Sequence, residues 1–353
     1  MGFFQVKDLF TSNFDVMKKL ILKIISLLIL VGVVNAIINH FFYDKKLPYY
    51  WGNETISSKR NFLVKNKAHF NTLFIGSSKT KYQIDPILFD SIVNKTNNGN
   101  IHSYNLGIDY MMPPESFYIY KSLLDNDSLH LKNVIIEIDF FRKAETENLF
   151  TWRNYYWVNP GTYYDYTSSL LSSHYTPLLK AWNLTIVNIM AVTKIYNIGK
   201  FNEYVQFKKN QFSINKTFEG ENGFVGLPHR IEQQSKLEEV KNASITAYSN
   251  YDKWSSMKKN QAFFNSLEKI IQLSNKKGVR LIFLLPIQWQ SMQYKELFPI
   301  LKAIPNRNKL EIADYSEYKP LFNADISFDY AHLDSVGARI YTRDVAQAFG
   351  KIY

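Results

Sequence analysis

Phe70-Asn71-Thr72-Leu73-Phe74-Ile75-Gly76-Ser77-Ser78-Lys79-Thr80 is the stretch on which the fold turns. Leu73, Phe74 and Ile75 form a short apolar run that, flanked by Phe70 and Thr72, suits a buried strand. Gly76 breaks the run and two serines follow. After a polar interval, Asp85 stands before Pro86 as a helix N-cap with proline at the first helical position. Strand, glycine turn and helix start together can hold a serine hydroxyl at the carboxyl edge of a sheet. An ordinary βα turn has the same outline, so the role of Ser77 and Ser78 depends on what else the chain brings to that edge.

Downstream, strand and helix patterns alternate. Residues 101–107 read as a short strand ending in glycine, and Met111-Met112-Pro113-Pro114-Glu115 leads into an aromatic helix. Asn133-Val134-Ile135-Ile136-Glu137-Ile138-Asp139 is a β-branched run of the kind buried on both faces in parallel sheets. The rhythm lapses over residues 145–255. It returns with an amphipathic helix at 258–277 ended by Gly278, a strand at 279–286, a helix at 294–304, a last strand at 309–315 and a closing helix at 334–349. This alternation predicts an α/β domain with a doubly wound, flavodoxin-like parallel sheet and helices on both faces.

The interrupting block is aromatic-rich. Residues 154–166 (NYYWVNPGTYYDY) read as a loop with a Pro-Gly turn, 178–198 have helical periodicity, and 220–227 carry three glycines as a hairpin or surface loop would. The block reads as an insertion covering the crevice, its aromatics suited to stacking on sugar rings or to filling a core.

Near the C-terminus stands Phe328-Asp329-Tyr330-Ala331-His332-Leu333-Asp334-Ser335. A carboxylate three residues before a histidine can hold one ring nitrogen and leave the other to take a serine proton. Asp127-Ser128-Leu129-His130 has the same spacing but falls in a surface connection, whereas Asp329 and His332 directly precede a helix opened by Asp334 or Ser335. Together, Gly-x-Ser after the first domain strand and Asp-x-x-His-Leu before the last helix resemble the SGNH (GDSL-type) hydrolase superfamily over residues 71–353.

The resemblance implies an SGNH-type sheet with Ser78 as nucleophile toward a carbonyl carbon, Ser77 standing where many members have aspartate. It makes His332 the general base and Asp329 its orienting partner. For the oxyanion site or pocket it points to Gly107, Tyr110 and Phe141, with two departures. The family's block-two glycine aligns with Tyr110, three positions after Gly107, and Phe141 stands where the family has asparagine. Neither cofactor nor metal is implied. The remaining histidines (His40, His69, His102, His130, His174 and His229) read as structural, and the Asp-x-Asp spacing of Asp125-Asn126-Asp127 reads as a solvated turn rather than a glycosyltransferase metal site.

Residues 20–43 (LILKIISLLILVGVVNAIINHFFY) are long and apolar enough to span a bilayer, which needs roughly 20 residues. Lys18, Lys19 and Lys23 precede the apolar centre and place residues 1–19 in the cytoplasm; Lys45 and Lys46 on the far side oppose that bias. Val34-Asn35-Ala36 has the spacing of a signal-peptide cleavage site, but Ile37, Ile38, Phe41 and Phe42 carry the apolar stretch past it, as an uncleaved anchor would. Residues 44–69 are polar and basic and read as a tether to a domain at 70–353, carrying the insertion at about 145–255.

The chain has 353 residues, 42 Lys+Arg against 31 Asp+Glu, a net charge of +11 and no cysteine. Thiol nucleophiles and disulfides are thereby excluded. The positive balance favours anionic neighbours such as lipid head groups or acidic polymers. With no zinc-finger spacing, RNA-binding signature or dense basic run, nucleic acid is not expected as a partner.

A single N-terminal transmembrane helix before such a domain is the plan of the membrane-tethered SGNH-like proteins of alginate O-acetylation and of the D-alanyl transfer protein in the teichoic acid pathway. The resemblance to them implies an acyltransferase or esterase acting on acyl esters of a cell-envelope polysaccharide or polymer. It also implies an extracytoplasmic domain and a multi-spanning membrane-bound O-acyltransferase as partner. The alternative is a non-catalytic SGNH-fold protein that binds a surface polymer or assembles its acylation machinery.

Overall fold

The computed structural model describes residues 3–38, 54–97, 99–125, 129–140, 157–196, 222–230, 234–287, 291–310 and 319–352. The chain begins with helix α1 (Phe3–Ile38), whose Asp15–Ile38 portion is long and apolar enough to cross a membrane. Next come α2 (Glu54–Lys65), β1 (Thr72–Gly76), α3 (Ser78–Gln83), α4 (Pro86–Asn97), β2 (Ser103–Gly107), α5 (Glu115–Leu124) and β3 (Asn133–Glu137). The middle is helical: α6 (Pro160–Leu171), α7 (Pro177–Tyr196), α8 (Gln234–Ser249) and α9 (Tyr251–Ser255). The chain closes with α10 (Gln261–Lys276), β4 (Arg280–Leu284), α11 (Ser291–Ala303), β5 (Lys309–Leu310) and α12 (Ser335–Ile352).

The five strands form one parallel sheet in the order β2-β1-β3-β4-β5. Every residue of β1, β2 and β3 is buried, as their apolar runs require of strands covered on both faces. The register sets Gly76 against Gly107 and Ile75 against Ile136, so the ends of β1, β2 and β3 converge at the carboxyl edge. Asp85 caps α4 as its position before Pro86 predicts, its Oδ1 accepting from the N–H groups of Ile87 and Leu88. The ring of Phe89 in α4 meets Phe74 of β1 on one side and Phe349 of α12 on the other. Each such aromatic pair contributes roughly 0.5–1.5 kcal/mol beyond its area. They lock the last helix, and the histidine loop before it, onto the serine strand.

Several expectations need correction. The tether forms helix α2 over 54–65, and Lys59, Ile56 and Leu63 in it are fully or almost fully buried; Lys59 there docks on the end of β2. Pro160-Gly161 opens α6 instead of forming a turn, because Asn159 accepts from the Gly161 and Thr162 N–H groups and completes a capping box. Of the two readings of residues 220–227, hairpin or surface loop, the described residues 222–227 form a loop without strand structure. Asn222 O accepts from Asn105 N–H on the outer edge of β2, and Leu227 O accepts from Ser335 at the start of α12. The polar interval after Ser78 is itself a helix, α3. None of the described residues between 157 and 255 joins the sheet. The last strand is described only at Lys309–Leu310; residues 311–315 lie outside the described residues, as do residues 39–43 of the apolar stretch.

Candidate active site

Two local devices hold the site. The first is the β1–α3 turn. Ser77 caps α3, its Oγ accepting from Lys79 N–H, and its own groups are held by Glu137 at the end of β3. Glu137 Oε2 accepts from Ser77 N–H and Thr80 Oγ1, each at 2.8 Å, and Oε1 accepts from Ser77 Oγ at 2.7 Å. Gly76 is needed because a Cβ there would strike the Glu137 carboxylate and Thr80 Oγ1. Ser78 therefore occupies the first helical position, half-buried, with its backbone N–H making no hydrogen bond among the described residues. From β2, Asn105 Nδ2 donates to Thr80 O and Ile84 O at 2.7 Å, tying down the far end of α3.

The second device is the loop before α12. Asp329 Oδ1 accepts from Ala331 N–H at 2.7 Å and His332 N–H at 2.8 Å, an Asx-type turn that explains why three positions separate acid and histidine. An antiparallel bridge between Ser327 and Leu333 closes the loop. Asp334 Oδ1 caps α12 through Val336 and Gly337 N–H. Gln83 of α3 donates to Ala331 O at 3.3 Å, and the Tyr82 ring stands edge-on to the His332 ring at 5.6 Å.

The two devices meet. His332 Nε2 lies 2.8 Å from Ser78 Oγ, and His332 Nδ1 lies 3.0 Å from each Asp329 carboxylate oxygen. With Nδ1–H donating to the carboxylate, Nε2 is left to accept the serine proton. Burial pushes the Asp329 carboxyl up, but the hydrogen bond and charge of His332 and the N–H groups of Ala331 and His332 outweigh it, and its pKa falls below the usual value. The His332 and Asp329 side chains remain 20% and 29% exposed, so the site is open to solvent. Leu237 and Val240 of α8 line a pocket beside the histidine loop, together with Leu321, Phe322 and Leu333.

Gly107 and Tyr110 fall on the β2 side of this edge. The Gly107 N–H is already used, donating to Asn105 Oδ1 at 2.8 Å, and its carbonyl accepts from Lys59 Nζ at 2.8 Å. Its missing side chain lets the first turn of α3 pack on β2, since a Cβ would strike the Lys81 backbone. Tyr110 is 61% exposed with φ 59, a left-handed conformation normally left to glycine. Phe141 lies outside the described residues, as do Asn126 and Asp127.

Three contributors escape sequence reasoning. Glu137 leaves a faint signal, a carboxylate inside an otherwise apolar buried run. Lys59 leaves none: its Nζ donates to the carbonyls of Asn105 and Gly107 in β2 and of Gly223, from a helix far upstream. Burial, and then the charge of Lys81, pull the Lys59 pKa well down. Lys81 bonds Asp109 at 2.6 Å and Tyr82 OH at 2.8 Å. Among the described residues no group of three His, Asp or Glu side chains converges as a metal site requires.

No protein-family model, curated protein or solved structure matches the chain.

Proposed function

We propose that this chain is a membrane-anchored acyltransferase or esterase of the SGNH type, working through Ser78, His332 and Asp329. The observation that carries it is the continuous hydrogen-bond line from Asp329 through both nitrogens of His332 to Ser78 Oγ. The strand order 2-1-3-4-5 is that of flavodoxin-like, doubly wound sheets, in which ligands bind outside the carboxyl ends of the strands. That is where the three side chains lie.

The chemistry follows from the geometry. His332 Nε2 takes the Ser78 proton as Oγ forms a bond to an acyl carbonyl carbon. In this reading the Ser78 N–H at the helix start donates to the oxyanion that develops. Collapse breaks the bond to the leaving oxygen, which receives the proton from His332, and leaves the acyl group on Ser78. A second hydroxyl, from an acceptor or from water, gives its proton to His332 and takes the acyl group; the bond to Ser78 Oγ breaks and His332 returns the proton to that oxygen, restoring the serine. Asp329 holds the ring and stabilises its positive charge in between.

In this reading α1 crosses the bilayer with Lys18, Lys19 and Lys23 on the cytoplasmic side. The domain then faces the cell envelope, where acylated polysaccharide or polymer is the substrate and a multi-spanning O-acyltransferase the partner. Two observations favour the non-catalytic alternative: the N–H of Gly107 is engaged internally, and Phe141 replaces the family's asparagine. Stopped-flow mixing of the full chain with p-nitrophenyl acetate separates the two. An enzyme gives a stoichiometric burst of nitrophenol that is lost in Ser78→Ala; a binding protein gives the same slow release with and without Ser78.

A further inference from the structure

We infer that α7 is a second membrane-embedded element, its exposed apolar face lying in the hydrocarbon of the bilayer that α1 crosses. Large apolar side chains dominate the exposed side of α7, although Thr185 and Asn188 are exposed too and Lys180 and Lys194 are half-buried. Asn183 is fully buried and Thr193 is 5% exposed, whereas Leu178 is 83%, Val192 47% and Ile195 46% exposed. Of the polar residues, Asn183 accepts from Tyr166 OH of α6 in the interior, while Asn188, which accepts from Tyr163 OH, and Thr185 are exposed.

What covers the apolar side is indicated by where α7 ends. Tyr196 OH donates to Leu28 O at 3.2 Å, and Gly32 of α1 lies against Ile195 and Tyr196. Leu28 is about 12 Å along the helix axis from Leu20, well inside a hydrocarbon layer about 30 Å thick. The end of α7 therefore lies in the slab that α1 occupies. The helix carries no acidic residue, and with Asp15–Ile38 it is one of two stretches among the described residues long and apolar enough to cross a bilayer. Two contacts with the membrane, instead of one, would fix the orientation of the carboxyl edge and the height of Ser78 above the lipid.

The inference rests on α1 crossing the membrane and is independent of the chemistry at Ser78. Because the chain has no cysteine, single nitroxide labels can be placed without background. Full-length Val192→Cys and Ile195→Cys, labelled in phosphatidylethanolamine–phosphatidylglycerol vesicles, are compared with Leu27→Cys in α1 and Glu238→Cys on the exposed face of α8. Relaxation by oxygen should dominate over relaxation by a water-soluble nickel chelate at 192 and 195, as at 27, with the order reversed at 238. Chelate dominance at 192 and 195 alone would overturn the inference. So would low access to both relaxants, which would mean cover by protein, such as a second copy. Chelate dominance at 27 as well would remove the anchor and this inference with it. Photolysis of a diazirine-tagged lipid with the unsubstituted chain gives a test free of folding effects: adducts should map to α7 as well as α1, and adducts on α1 alone would overturn it.

Discussion

Glu137 grips Ser77 with both carboxylate oxygens, Oε1 on the hydroxyl at 2.7 Å and Oε2 on the backbone N–H at 2.8 Å. The residue before the proposed nucleophile is thus bolted to the neighbouring strand, and Ser78 inherits its position from that clamp. Glu137→Ala leaves buried donors on Ser77 and Thr80 without a partner and should cost about 2–4 kcal/mol, read as a lower urea midpoint. Glu137→Gln keeps the shape but turns an amide N–H₂ toward donors. It should slow acylation of Ser78 by at least about tenfold, 1.4 kcal/mol of barrier, while the circular dichroism spectrum is retained. Unchanged stability in Glu137→Ala would refute the clamp.

Tyr110 holds φ 59 with most of its side chain in solvent. A left-handed backbone costs a non-glycine residue on the order of 1 kcal/mol, and a β-branched one more. Tyr110→Ala and Tyr110→Val lose the same ring, so Tyr110→Val should be the less stable of the two in a urea titration by about 0.5–1 kcal/mol, and Tyr110→Gly should be at least as stable as Tyr110→Ala.

Asp90 in α4 gives the fold a pH signature. Burial raises its carboxyl from 3.8 to about 7, against the opposing hydrogen bonds from Ser103, and the charge of Asp85 adds to the rise. The folded state then holds the proton more tightly than the unfolded chain, so this contribution to stability is fully present below pH 3.8 and is lost as pH climbs through about 7. Asp90→Asn, which keeps an acceptor for the Ser103 N–H, should be more stable than the parent at pH 8 by about 1–3 kcal/mol. The gap should close near pH 4 in paired urea titrations.

What the sequence shows and what it hides follow from the range of the forces involved. β1, β3 and β4 are legible because a strand buried on both faces must be apolar throughout, and that is a local property. Asp329 and His332 are legible for a similar reason: the Asx turn joining them closes within a few residues. Helix α2 is not legible, since Ser57, Ser58 and Lys59 look like solvated tether but are buried, Lys59 against carbonyls distant in sequence. Pro160-Gly161 misleads because proline opens both turns and helices, and only the Asn159–Thr162 capping box decides between them. Glu137 is visible as an anomaly in its strand, but its partners lie on another strand's turn.

The most direct test of the Ser78–His332–Asp329 reading is intact-mass and peptide mass spectrometry of the full-length protein after treatment with a fluorophosphonate probe. The expected result is a single adduct on Ser78, absent from Ser78→Ala, with labelling slowed at least about 100-fold in His332→Ala because the general base is gone. No adduct, an adduct that persists in Ser78→Ala, or equal labelling rates with and without His332 would contradict it.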